Sequence, residues 1–225
     1  LGGGARVLVQ RNKDRAVVED GILTIGEVPD MDTAIDLLSK GKLQEGVALC
    51  NLILSHDPRH VPALYNSGMA LSDLGKLDYA LERLNKAFTQ DPTANIAIAI
   101  GVAYSRNSEM AKACIWLKRA IELDPDNPYA RRNLGGVLLQ MGNNAEALSI
   151  LESLATENPH DQGALFALAQ ALMANGNDTK ADTVFIATIN LAPHTPIADA
   201  AKKLGVQCDA VAMQRHRLSV AKRWS

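Results

Sequence analysis

Residues 61–93 read VPALYNSGMALSDLGKLDYALERLNKAFTQDPT. Leu64, Gly68 and Leu71 recur at helical spacing until Gly75 breaks the pattern. Tyr79-Ala80, Leu84 and Ala87 then build a second apolar stripe, which Asp91-Pro92 ends. The stretch predicts two short amphipathic helices joined by a turn. A proline cannot continue a helix, so Pro92 separates this pair from whatever follows.

Outward from this stretch the same pattern returns. Prolines fall at Pro58, Pro92, Pro125, Pro159 and Pro193, in steps of 34, 33, 34 and 34 residues. Small residues keep that step at Gly46, Ala80, Ala113, Ala147 and Ala181, and again at Ala34, Gly68, Gly101, Gly135 and Ala169. Gly41, Gly75, Gly142 and Gly176 mark turns, with Ser108 in the slot of the third repeat. Columns that share one period, including the same single deletion, identify an internal repeat. The small columns have a steric reading: where antiparallel helices cross within about 8–10 Å, Gly or Ala lets the backbones approach.

The pattern resembles the tetratricopeptide repeat (TPR), a 34-residue helix-turn-helix unit. The matches that carry the resemblance are Leu64, Gly68, Leu71, Gly75, Ala80, Leu84, Ala87 and Pro92, then Leu134-Gly135, Leu138, Gly142, Ala147, Leu151 and Pro159. Five units are placed at about 27–60, 61–93, 94–127, 128–161 and 162–195. Three departures stand out: Gly46 where Ala is usual, Ser108-Glu109 at a turn, and Thr188 where a small apolar residue is expected. The resemblance implies an all-α fold, a right-handed superhelical solenoid. It also implies a role as a protein-protein interaction scaffold.

The two ends differ from the array at 31–195. Val7-Leu8-Val9, Ala16-Val17-Val18 and Ile22-Leu23-Thr24-Ile25 are short β-rich runs separated by turn signals, so residues 1–30 predict a hairpin or three-stranded meander. After Pro193, Thr195-Pro196 reads as a cap followed by proline at the first helical position. Ile197 to Leu204 would form a helix ending at Gly205, and Asp209 would cap another from Ala210 to about Arg223. Residues 196–225 are therefore assigned as capping helices, which a solenoid needs to close its last apolar interface. Their basic residues, Lys202, Lys203, Arg215, Arg217, Lys222 and Arg223, read first as a solvated face. A contact with nucleic acid or an anionic membrane is the lesser alternative.

Composition sets limits. The chain has 225 residues, 47% hydrophobic and 21% charged, with 23 basic against 25 acidic side chains. A net charge of −2 gives no field to draw it onto DNA or RNA. Three cysteines without a CxxC pair argue against a disulfide framework and for a reducing, cytoplasmic setting. Residues 1–10 lack a basic start and long apolar run, so no secretory leader is expected there. The longest apolar run, Ile96 to Tyr104, falls far short of the roughly 20 residues that cross a bilayer. The chain opens at Leu1, not Met, as expected of a fragment, and an upstream leader or anchor stays open.

No chemical apparatus emerges. Gly68 and Gly75-Lys76 are too far apart for a phosphate loop, and Leu77 replaces the hydroxyl that would bind magnesium. His56 and His60 flank Pro58, so one helical face cannot present both to a metal, and His160 and His194 fall in inter-repeat loops. Cys50 sits in a column otherwise filled by Leu84, Leu117, Leu151 and Phe185, and reads as a packing residue. Cys114 and Cys208 have no histidine partner in view. No enzyme, metal or cofactor is expected.

The family resemblance implies a concave groove lined by each unit's first helix. Residues one turn from the packing columns would face it: Tyr65, Met69 and Ser72-Asp73, then Ile98, Val102 and Arg106. Tyr129, Arg132 and Gln140 follow in the fourth unit, and Phe166, Gln170 and Met173 in the fifth, with Asn66 and Asn133 beside them to hydrogen-bond a peptide backbone. Aromatics and methionines suit a peptide with apolar anchors, while Arg106 and Arg132 suit an acidic group. Family members that grip acidic chaperone tails use Lys and Asn at slots held here by Met31, Ile35, Asn66, Asn95 and Ala99, where only Asn66 matches. The sequence thus predicts an adaptor for a protein or peptide partner. A self-assembling homo-oligomeric scaffold is the alternative.

Overall fold

The computed structural model describes residues 30–205, together with the backbone of three short strands: β1 (Val9–Arg11), β2 (Val17–Glu19) and β3 (Ile22–Ile25). The strand order is β1-β3-β2, with β1 parallel to β3 and β2 antiparallel to it. This corrects the expected meander, in which β2 would sit in the middle. Val9 pairs with Leu23, so the chain crosses over before it pairs. The expected helix from Ala210 to Arg223, Cys208 and the basic residues from Arg215 onward lie outside the described residues.

From Asp30 on, the architecture is all-helical. Ten helices follow in order: α1 (Met31–Ser39), α2 (Leu43–His56), α3 (Val61–Asp73), α4 (Leu77–Gln90), α5 (Ala94–Arg106), α6 (Met110–Leu123), α7 (Pro128–Gln140), α8 (Asn144–Glu157), α9 (Gln162–Ala174) and α10 (Asp178–Leu191). Residues 196–205 are helical as well. The chain divides into two compact units, Leu1–Glu109 and Met110–Ser225.

Within the first unit each helix packs on its successor from α1 to α5, and α1 and α5 both also touch α3. The second unit repeats this from α6 to α10, with α7 also against α9. The cores follow the columns. Ala34, Leu49, Cys50 and Ala63 are fully buried in the first unit, and Leu151, Ala169, Ala181 and Phe185 are at most 1% exposed in the second.

The turns explain the glycine column. Gly41, Gly75, Gly142 and Gly176 adopt φ of +72° to +78°, the left-handed region open to a residue without Cβ. Ser108 holds the same conformation at φ 60° with a side chain attached. Four of the five first helices are capped by a side chain just past the inter-repeat proline or its equivalent. Asp30 Oδ1 accepts from Thr33 N, His60 Nδ1 from Ala63 N, Asn127 Oδ1 from Tyr129 N, and Asp161 Oδ1 from Gly163 N. Thr195 Oγ1 accepts from Ala198 N at 3.1 Å, the cap expected of Thr195-Pro196. Thr188 is fully buried, and its hydroxyl donates to Val184 O at 2.8 Å, so the departure carries no unsatisfied group.

Candidate functional site

In the first unit the expected groove residues sit on two helices that touch. Tyr65 and Met69 lie one turn apart on α3, and Ile98, Val102 and Arg106 lie at successive turns on α5. Tyr65, Met69, Ile98 and Val102 are half-buried, which leaves part of each apolar surface to solvent. Burial raises the Tyr65 phenol above its ordinary pKa, so the ring presents a neutral hydroxyl. Arg106 is already engaged. Its Nη1 donates to Asp73 Oδ1 at 2.6 Å and to Ser72 Oγ at 2.8 Å, tying the end of α5 to the end of α3. Asn66 turns back on its own helix, donating Nδ2 to Pro62 O at 2.9 Å.

The second unit carries a different set. Tyr129 opens α7 and is 56% exposed, with the Arg132 guanidinium carbon 5.0 Å from its ring centroid. At that distance the cation lies within reach of the ring's negative face. Arg132 Nη1 is also 3.7 Å from Asp161 Oδ1, the carboxylate that caps α9. A Cβ on Gly163 would collide with Arg132 Nη1, so the glycine makes room for the guanidinium. Asn133 donates Nδ2 to Tyr129 O at 2.8 Å, the same inward turn as Asn66. Phe166 is half-buried, and its ring is 6.0 Å from that of Phe185, inclined at 58°. Met173 packs against the same core cluster, while Gln170 is half-buried on the same helix.

The structure thus places Tyr65 and Met69 on α3 and Ile98, Val102 and Arg106 on the adjoining α5 of one unit, and Tyr129 beside Arg132 in the other. Asn66 and Asn133 spend an amide donor on their own helices, and Phe166 spends much of its ring on packing. Spacing could not show this, since it gives a residue's helix face but not its rotamer.

Cys50 and His60 have structural roles. Cys50 is fully buried, and desolvation pushes its thiol up to about 11 despite the attraction of Arg83, so it is protonated at neutral pH. His60 serves as a helix cap, and His56, His160 and His194 are exposed. Among the described residues no cluster of three or more His, Cys, Asp or Glu could hold a metal ion. None of the described helices is long and apolar enough to cross a membrane. Spacing did not single out a cleft lined by residues of α2, α3 and α4.

Comparison with known proteins places this architecture. The human protein O-mannosyl-transferase TMTC3 is 30% identical over 132 residues, covering 57% of this chain and 14% of that protein. The chain therefore corresponds to a small part of that relative's length. Among solved structures, Pseudomonas aeruginosa PilF is 19% identical with a TM-score of 0.68, covering 83% of this chain and 84% of that one. YrrB, described as a TPR protein with an unusual peptide-binding site, is 23% identical with a TM-score of 0.57, covering 77% and 90%. At these identities the likeness to both structures is one of fold. Two family models, each described as tetratricopeptide repeat, match residues 65–128 and residues 116–155 and 138–204. Neither match reaches residues 1–30. Taken together they run from Tyr65 to Leu204, more than half of the sequence, and the chain belongs to the tetratricopeptide repeat family.

Proposed function

We propose that this chain is a non-enzymatic adaptor that binds a peptide or protein segment along its first helices. The observation that carries the proposal is the Tyr129–Arg132 platform, an aromatic ring left 56% exposed with a guanidinium stacked over it. Packing does not require that pair, since the core column of α7 is filled by Ala130, Leu134 and Leu138. An exposed aromatic beside an arginine offers a ligand apolar area, a cation and directed N–H donors at once, the composition of binding hot spots. Tyr65 and Met69 would supply the equivalent apolar contacts in the first unit. TPR proteins commonly mediate protein-protein interaction, and the peptide-binding character of YrrB agrees with this reading.

Phe166→Ala would empty space against Phe185 and destabilise the fold, whereas Tyr129→Ala removes an exposed ring. The test is affinity capture from the native host on the intact chain and on a Tyr65→Ala, Tyr129→Ala, Arg132→Ala triple variant. The proposal expects a specific protein retained by the intact chain and lost by the variant at unchanged helicity. Equal retention by both rejects it.

A further inference from the structure

The cleft between α2 and α4 encloses about 710 Å³, within the range of ligand sites. Val47, Asn51 and Leu54 form one wall, Tyr79, Glu82, Arg83 and Lys86 the other, and Leu64 and Leu71 of α3 the floor. None of the groove residues described above lines it.

Two residues of its α4 wall break the repeat, in opposite directions. The column of Tyr79 reads Glu45, Tyr79, Lys112, Glu146 and Lys180, so four units place a charge where this one places an aromatic. Tyr79 is 65% exposed, which leaves most of its ring to solvent. The column of Arg83 reads Leu49, Arg83, Trp116, Ile150 and Val184, so four units place an apolar side chain where this one places a guanidinium. Residues 79 and 83 are one helical turn apart and share a face.

The guanidinium is poorly provided for. Arg83 Nη2 donates to Asn51 Oδ1 at 2.8 Å, but Nη1 is buried with no hydrogen-bond partner. Leaving such a group unsatisfied costs free energy that an apolar residue in the same column would not incur. Sequences that break a local rule at a cost do so most often at functional sites. The wall is also cationic: Lys76, Arg83 and Lys86 face one carboxylate, Glu82, which Lys86 already pairs at 2.7 Å.

We propose that this cleft is a second binding site, for an acidic-apolar peptide segment that sets a carboxylate on Arg83 and an apolar side chain against Tyr79, Val47 and Leu54. A carboxylate accepts two parallel N–H bonds from a guanidinium turned to face it, which would give Nη1 the acceptor it lacks. Asn51 is placed to hold the other edge of the guanidinium. This site is independent of the first-helix groove and does not rest on it.

The experiment pans a random twelve-residue peptide library displayed on phage against the full chain. Enriched peptides are then measured by fluorescence anisotropy on the wild type, Arg83→Leu, Tyr79→Glu, and the Tyr65→Ala, Tyr129→Ala pair. The proposal expects peptides that join Asp or Glu to Leu, Phe or Trp, with affinity at least tenfold weaker in Arg83→Leu and in Tyr79→Glu. Those same peptides should bind the Tyr65→Ala, Tyr129→Ala protein as they bind the wild type. Arg83→Leu restores the residue type of the column, so its melting temperature should equal or exceed that of the wild type. The proposal is overturned if no enriched peptide loses tenfold in Arg83→Leu, or if those that do carry no acidic residue. A melting temperature several degrees lower in Arg83→Leu also overturns it, because the guanidinium would then be structural.

Discussion

The side chain of Leu84 occupies the space that a Cβ on Gly68 would need: the added atom would stand 2.7 Å from Leu84 Cγ. The relationship recurs one unit pair later, where a Cβ on Gly135 would stand 2.6 Å from Leu151 Cγ. The small column of the first helix therefore exists to admit a leucine from the second, as well as to bring the backbones together. Ala80 O lies only 3.4 Å from the same imagined atom on Gly68. In Gly68→Ala, overpacking of roughly 1–3 kcal/mol outweighs the ~1 kcal/mol that alanine gains in helix propensity. Chemical denaturation of Gly68→Ala, Leu84→Ala and the double variant should show a double-mutant loss clearly smaller than the sum, because the collision vanishes with the leucine.

Ser108 carries a side chain at φ 60°, where its four counterparts are glycine. Left-handed backbone costs a residue with Cβ roughly 1–2 kcal/mol, partly offset by glycine's greater freedom in the unfolded chain. Ser108→Gly should therefore raise stability by about 0.5–1 kcal/mol, and Gly75→Ala, at φ +72°, should lower it by a similar amount. Urea midpoints measure both.

The thiol of Cys50 keeps its proton to about pH 11 in the fold, whereas a thiol of the unfolded chain loses it near about 8.5. Its folded pKa is raised, so the stability it contributes is complete below the unfolded value and is lost as pH rises through the folded one. Denaturation between pH 8 and 11 should show a loss that is smaller in Cys50→Ala. In the native protein at pH 8 a thiol reagent should modify half-buried Cys114 while Cys50 stays protected until unfolding.

Arg106 and Asp73 are both well exposed, so their 2.6 Å pair adds little to stability. Asp73→Asn should cost less than about 1 kcal/mol. It should also free Arg106 for an acidic ligand, so an acidic peptide bound along α3 and α5 should bind more tightly to Asp73→Asn in titration calorimetry.

Helix pairs and turns were legible because each repeat solves the same packing problem, so a column averages five copies of one answer. Gly41, Gly75, Gly142 and Gly176 announced their backbone conformation, and Ser108 shared it by position alone. The strand order was not legible, since residues as few as those of Val9–Arg11 pair equally well with several partners. Which residues fall on the first helices was readable, but not the inward turn of Asn66 and Asn133 or the packing of Phe166 on Phe185. Those depend on rotamers chosen by neighbours far along the chain. The unusual α4 face was present in the columns, where Tyr79 and Arg83 stand against four counterparts each, and it gained meaning once the cleft and the unpaired Nη1 were seen.

The central claim is that a partner lies along the first helices. Photo-crosslinking tests it most directly, with p-benzoylphenylalanine placed singly at Tyr65, at Tyr129, and at Ile186, an exposed position on second helix α10. With the partner captured from the native host, the account predicts covalent adducts from positions 65 and 129 and none from 186. Adducts from 186 with none from 65 or 129 would contradict it.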